Sequence, residues 1–400
     1  MADVYEEIPQ SVMPTYARIP VAFVRGEGSY VYDSNGKRYL DGLTGIAVCG
    51  LGHAHPKVAD AIARQASTLL HTSNLYRIPG QERLASRLCE ISGMDNVFFC
   101  NSGAEANEAT IKIARLYGHS RNCAMPHIVV ADGSFHGRTM ATLTATGNRK
   151  VQAGFEPLLA GFVRAPYNDV ESVEKIAANN KNVVAVLVEP ILGEGGIVIP
   201  DDGYLEALRG ICDRHDWLLM LDEVQTGNGR TGKYFAFQHT SVMPDVVATA
   251  KGLGNGVPIG ACLARGEAAK MLLAGTHGST FGGNFLACAA ANVVVDELTE
   301  GGVMDRAAEL GERMLARFRD RLAGNNRVKE IRGKGLLVAV ELNEPCTDLV
   351  GAAVDAGLLI NVAADTVIRL LPPLTMSDDE ADAMVDHVAD LIDAMPGQTP

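Results

Sequence analysis

The sequence predicts an α/β protein with a mostly parallel sheet and a second, smaller unit, and three features carry that reading. First, short continuous apolar runs recur at 96–100, 127–131, 183–188, 217–221, 246–250 and 261–264. Runs without polar alternation suit strands that are covered by helices on both faces. Second, helical patterns lie between them, such as Ala106, Ala109, Ile113, Leu116 and Tyr117, ending at Gly118. Repeated strand–helix alternation implies parallel strands with crossover helices. Third, both ends of the chain depart from this texture.

At the start, Tyr30-Val-Tyr-Asp33 and Lys37-Arg-Tyr-Leu-Asp41 flank Ser34-Asn35-Gly36. Asn-Gly between such runs is a strong hairpin signal. Beyond residue 290 the pattern gives a long helix across 297–322, a strand at 335–342, a helix–strand pair and the run Ile368-Arg-Leu-Leu371. Ser377-Asp-Asp-Glu380 forms a capping box that opens a last amphipathic helix over 381–395. Neither end is large enough to stand alone. We expect a large domain of residues 61–289 and a smaller α+β domain built from 1–60 and 290–400.

Composition narrows the function classes. The chain has 400 residues, 47% hydrophobic and 21% charged, which is ordinary globular usage with room for about two domains. With 48 acidic against 35 basic residues the net charge is −13, so nucleic acid is not an expected partner. No run reaches the ~18–20 apolar residues of a membrane span. The acidic opening MADVYEEIPQ lacks a signal region, and the 8 cysteines include no CxxC pair. Both point to a cytoplasmic protein with reduced thiols.

Three places carry chemistry. Asn101-Ser-Gly-Ala-Glu-Ala106 lies between a strand and a helix, where free backbone N–H groups and the helix dipole favour a phosphate. Ser102 with Glu105 also fits a plain capping box, and both readings stand on these residues alone. Asp222-Glu223 ends an apolar strand at the sheet edge where α/β proteins bind ligands. A buried carboxylate there needs a cation or strong hydrogen bonds, whether for a structural salt bridge or for function. Lys251 ends the next apolar strand and precedes a glycine-rich stretch. Lysine suits that position when its amine is neutral or covalently bonded, although a lone lysine there more often snorkels outward.

A decoy sits beside them. Gly227-Asn-Gly-Arg-Thr-Gly232-Lys233 matches part of a nucleotide-binding loop, but Tyr234 stands where a magnesium-binding hydroxyl belongs. His53 and His55 form an H-x-H without further ligands for zinc. His136, beside Phe135, reads as a support for ring stacking. In combination, a phosphate turn, an acid and a lysine, each at a strand end and in that order, match the needs of pyridoxal 5′-phosphate.

The chain resembles the class III (ω-amino) pyridoxal-phosphate aminotransferases, and among them most closely the acetylornithine enzymes. The resemblance covers nearly the whole chain. It rests on Leu51-Gly-His-Ala-His-Pro56, His71-Thr-Ser-Asn74, Asn101–Ala106, Ser134-Phe-His-Gly-Arg-Thr139, Glu189-Pro-Ile-Leu-Gly-Glu-Gly195, Asp222-Glu-Val-Gln225, Lys251 and His277-Gly-Ser-Thr-Phe-Gly-Gly283. It implies fold type I of the pyridoxal-phosphate enzymes. Lys251 and Asp222 would be catalytic, as covalent anchor with proton carrier and as partner of the pyridine nitrogen. Ser102, Gly103, Ala104, Phe135 and Gln225 would complete the cofactor site. Thr280 would reach the phosphate of the neighbouring subunit, so a homodimer is implied. Arg138, Ser279, Arg369 and Glu194 would contact substrate, with Glu194 able to cover Arg369.

The resemblance further implies transfer of the δ-amino group of N-acetylornithine to 2-oxoglutarate, in arginine biosynthesis. Ile46 stands where ornithine δ-aminotransferases carry a tyrosine. Succinylornithine or succinyldiaminopimelate is the alternative donor, and an aminomutase or a nucleotide hydrolase are readings from other classes. No metal is expected.

Overall fold

The computed structural model describes residues 11–396. Its centre is a seven-stranded sheet in the order Asn96–Cys100, Gly260–Ala264, Val246–Thr249, Leu218–Asp222, Val183–Val188, His127–Ala131, Phe162–Ala165. Six strands run one way and Gly260–Ala264 is antiparallel to both neighbours. Period-two geometry explains the continuous apolar runs. Leu219 and Leu221 enter the core on one face of the sheet, while Leu218 and Met220 enter a second core on the other. The helix Gly103–Ser120 packs over one face and Tyr204–His215 packs against the Leu218–Asp222 strand.

Four features differ from the sequence reading. The edge strand Phe162–Ala165 escaped it because Arg164 interrupts a short apolar run. That guanidinium turns back onto the Thr144 and Thr146 carbonyls at 2.5 and 2.8 Å. The reversal of Gly260–Ala264 leaves no mark in composition. The helix expected to stop at Gly118 continues to Ser120, and Gly118 is there for close packing: a Cβ would lie 2.7 Å from the Pro126 ring. The single helix expected across 297–322 is two, Phe285–Glu300 and Val303–Arg321, broken at Gly301-Gly302, where Gly302 has φ +70°.

The two ends of the chain meet in one small sheet. Tyr30–Asp33 and Arg38–Asp41 form the hairpin, and Leu358–Leu359 adds in parallel to Arg38–Asp41. A second antiparallel sheet joins Val328–Lys334, Leu337–Leu342, Val367–Leu370 and Asn361–Ala363. The helices Val303–Arg321 and Asp378–Asp393 pack together, the latter opened by the Ser377–Glu380 capping box. Four-residue spacing on both helices aligns a ladder of Arg313–Asp382, Arg317–Asp386 and Arg321–Asp390, each 2.6 Å. The helices Pro56–Ala66 and Phe285–Glu300 cross the expected domain boundaries and pack on each other. Among the described residues no helix is long and apolar enough to cross a membrane, and the acidic opening at residues 1–10 lies outside them.

Candidate active site

The parallel strands end at a cavity of about 430 Å³. Lys251 enters it directly after the Val246–Thr249 strand, in a left-handed backbone conformation (φ +44°). For a residue with a Cβ that conformation costs roughly 1–2 kcal/mol, so the surroundings must hold it. Burial lowers the basicity of the Lys251 amine, and Arg369 adds to this while Glu194, Asp222 and Glu189 oppose it. Its ammonium makes no hydrogen bond or ion pair among the described residues.

The phosphate turn faces the same cavity through Ser102, Gly103 and Ala104. Ser102 Oγ caps the 18-residue helix by accepting from Glu105 N at 3.2 Å. The Glu105 carboxylate does not return to Ser102, as the capping box requires. It accepts instead from Asn101 N and Nδ2, both at 2.8 Å. The amides of Gly103 and Ala104 are left without partners among the described residues. Gly103 permits the close approach, since a Cβ there would lie 2.6 Å from Val224.

Asp222 and Glu223, adjacent in sequence, point to opposite sides of their strand. Asp222 is 3% exposed, lines the cavity, and presents Oδ2 at 2.7 Å to both His136 Nδ1 and Asn107 Nδ2. Glu223 is fully buried elsewhere and takes Thr226 Oγ1, Ala236 N and Phe237 N at 2.5, 2.9 and 2.8 Å. Burial pushes its carboxyl up to about 7. The paired acids therefore split into one site residue and one structural cap. His136, read from the sequence as a support for ring stacking, serves Asp222, and its Nε2 is buried without a partner among the described residues.

Glu189, which the sequence did not single out individually, ties two walls together. It accepts Phe135 N at 2.8 Å on one oxygen and Gly193 N at 3.0 Å on the other. Burial, reinforced by the Asp222 charge, raises its carboxyl above the ordinary value. Asn107 was also missed, although a polar residue between Ala106 and Ala109 on an apolar helix face was its signal.

Arg369 stands behind the cavity wall. It is 1% exposed and donates from Nη1 to Glu194 Oε1 at 2.9 Å and to Gln225 Oε1 at 3.4 Å. Its Nε and Nη2 reach Asn361 Oδ1 at 3.1 and 2.7 Å. Burial pushes the Glu194 carboxyl up, but Arg369 outweighs that and holds it below the usual range. Arg138 is exposed at the cavity, its guanidinium 5.7 Å from the Phe135 ring centroid and without an ion pair among the described residues. Phe135, Glu194 and Gln225 line the cavity too. Ser279 and Thr280 do not. Ser279 Oγ accepts from Gly282 N and Asn101 Nδ2, and Thr280 is exposed.

An unpaired amine, a buried carboxylate and open helix amides around one cavity fit a group with an aldehyde, a basic ring nitrogen and a phosphate. A nucleotide at Gly227–Lys233 does not fit. Residues 227–232 are buried, and Arg230 is turned inward onto the Leu336 and Pro372 carbonyls. His53 pairs with Asp41 at 2.7 Å, and no metal-binding group of side chains occurs among the described residues.

Comparison with known proteins agrees with this geometry. The chain is 58% identical over 381 residues to an acetylornithine aminotransferase of Nitrosomonas europaea, covering 95% of this chain and 97% of that one. It is 46% identical to the acetylornithine aminotransferase of Methanocaldococcus jannaschii over 93% of both. Among solved structures it superposes on the ornithine aminotransferase of Toxoplasma gondii with a TM-score of 0.92 at 35% identity, covering 96% and 93% of the two chains. The acetylornithine aminotransferase of Elizabethkingia anophelis gives 0.86 at 35% identity, with 95% of each covered. The family model for class-III aminotransferases matches residues 12–392, and the chain belongs to that family.

Proposed function

We propose that the protein is an acetylornithine:2-oxoglutarate aminotransferase. It moves the δ-amino group of N-acetylornithine to 2-oxoglutarate, giving N-acetylglutamate 5-semialdehyde and glutamate for arginine biosynthesis. The observation that carries this is the convergence of Lys251, Asp222 and the Gly103–Ala104 amides on one cavity. Full-length relatives named acetylornithine aminotransferases support the choice of donor.

Pyridoxal 5′-phosphate, when bound, supplies an aldehyde that takes up amines and a ring that accepts electron density from the substrate carbon. The residues have separable tasks. Lys251 would anchor the aldehyde, and its lowered basicity suits Nζ to carry a proton to and from the substrate carbon. Asp222, oriented by His136 and Asn107, would present its charge to the ring nitrogen and hold a proton there. Gly103 and Ala104 would donate to the phosphate, with Ser102 fixing the turn that aims them. Phe135 and Gln225 line the cavity, where the phenyl ring would stack on the cofactor ring and the amide would serve its phenolic oxygen.

Two carboxylate positions need two cations. The δ-amine of acetylornithine reacts far from its α-carboxylate, which Arg138 holds. 2-Oxoglutarate reacts beside its carboxylate, which Arg369 holds once Glu194 moves off. Ser279 and Thr280 lie outside the cavity of a single chain, and we place Thr280 at the phosphate of a second copy, in a cytoplasmic homodimer. The division into 61–289 against 1–60 with 290–400 remains our reading of the domains.

The test is a comparison of kcat/KM for acetylornithine, succinylornithine, ornithine and succinyldiaminopimelate with 2-oxoglutarate. Preference for acetylornithine is expected. Preference for a succinylated donor would move the assignment to that substrate, and turnover without 2-oxoglutarate would identify an isomerase.

A further inference from the structure

Thr44, Gly45, Ile46 and Ala47 adopt four successive left-handed conformations, with φ of +51°, +67°, +69° and +61°. Only glycine enters that region freely, so Thr44, Ile46 and Ala47 sit there under constraint. The restraints are visible. Asp41 Oδ1 accepts from Leu43 N and Thr44 N, both at 2.8 Å, and Asp41 Oδ2 meets His53 Nε2 at 2.7 Å. Thr44 Oγ1 donates to Leu371 O at 2.7 Å. Ile46 and Ala47 pack with Ile191 and Ile197, the residues that flank the Glu194 loop. The turn exits into Val48, which lines the cavity beside Lys251.

We propose that Asp41 and His53 are positioning residues for donor selection: together they hold a strained left-handed turn whose exit forms a wall of the substrate cavity. The inference rests on the aminotransferase reading above. The Arg369 guanidinium is held by Glu194, Gln225 and Asn361, none of them on this turn, so an α-amino donor bound through it depends less on the turn. An ω-amino donor extends its chain along the cavity wall and depends on it more.

The test measures the half-reactions of cofactor-loaded His53→Ala and His53→Gln with acetylornithine and with glutamate. His53→Ala should lower kcat/KM for acetylornithine about tenfold and for glutamate by no more than about threefold, because misplaced binding walls penalise the donor that uses them. His53→Gln, which can still donate to Asp41, should restore most of the loss. Equal loss for both donors, no loss for either, or no rescue by glutamine overturns the proposal. Should His53→Ala not fold, Asp41→Asn is read by the same ratio. If the unmutated enzyme does not use acetylornithine, the donor assignment fails alone, and the ω-amino donor it does use replaces acetylornithine in the comparison.

Discussion

Glu194 and Arg369 meet at 2.9 Å, yet the arginine side chain is 1% exposed and the glutamate 36%. Arg369 is also anchored by two contacts to Asn361, so the partner free to move is the glutamate. Glu194→Ala should therefore leave Arg369 open to α-carboxylates. A charge-assisted contact is worth ~1.5–3 kcal/mol, so glutamate should gain on acetylornithine by about ten- to a hundredfold in kcat/KM. Stopped-flow half-reactions check this. An unchanged ratio would leave Glu194 and Arg369 as a fixed structural ion pair.

Asp222→Asn keeps the shape of the side chain and removes its charge. Turnover at saturating cofactor should fall at least about a hundredfold, the scale for losing an electrostatic contact made to the reacting system. The melting temperature should move by only a few degrees, because Asn107 and His136 remain in place. Near-normal turnover in the saturated variant would contradict the role given to Asp222.

Asp222 and its neighbours also show how far the sequence can be read. The strand-end acid, the lysine and the phosphate turn were legible because each sits where a chain changes from apolar run to polar turn. His136 and Asn107 were not, because they reach Asp222 across 86 and 115 residues of sequence. Glu189 lies inside the 189–195 motif, but its two backbone partners, Phe135 N and Gly193 N, are set by how two chain segments meet at its carboxylate. In the fold, buried strands announced themselves by composition. The direction of Gly260–Ala264 and the break at Gly301-Gly302 follow from tertiary pairing and from a single left-handed glycine.

His53 makes a pH prediction with a definite sign. Its bond to Asp41 raises it from the ordinary 6.5 to about 9 in the folded protein. A raised folded value means that the pair's stabilisation is fully present below about pH 6.5 and is lost as pH rises through about 9. Urea unfolding of the wild type should thus weaken between pH 6.5 and 9.5 more than that of His53→Gln, which does not titrate. Parallel losses in the two proteins would show that the pair contributes no such linkage.

Subunit hybrids test whether Thr280 acts across a dimer. A Lys251→Ala chain mixed with a chain disabled at Thr280 would then form one intact site and one doubly damaged site. Activity should appear on mixing two inactive parents. A hybrid as inactive as its parents would return Thr280 to its own chain.

Lys251, at φ +44° and with its amine unpartnered among the described residues, is the covalent anchor we propose for the cofactor. Borohydride reduction of the cofactor-loaded protein, followed by peptide mapping, tests it most directly. One pyridoxyl-labelled peptide, containing Lys251, is expected, and none from Lys251→Ala, which should still fold and retain cofactor non-covalently. A label on any other lysine of the wild-type protein would contradict it.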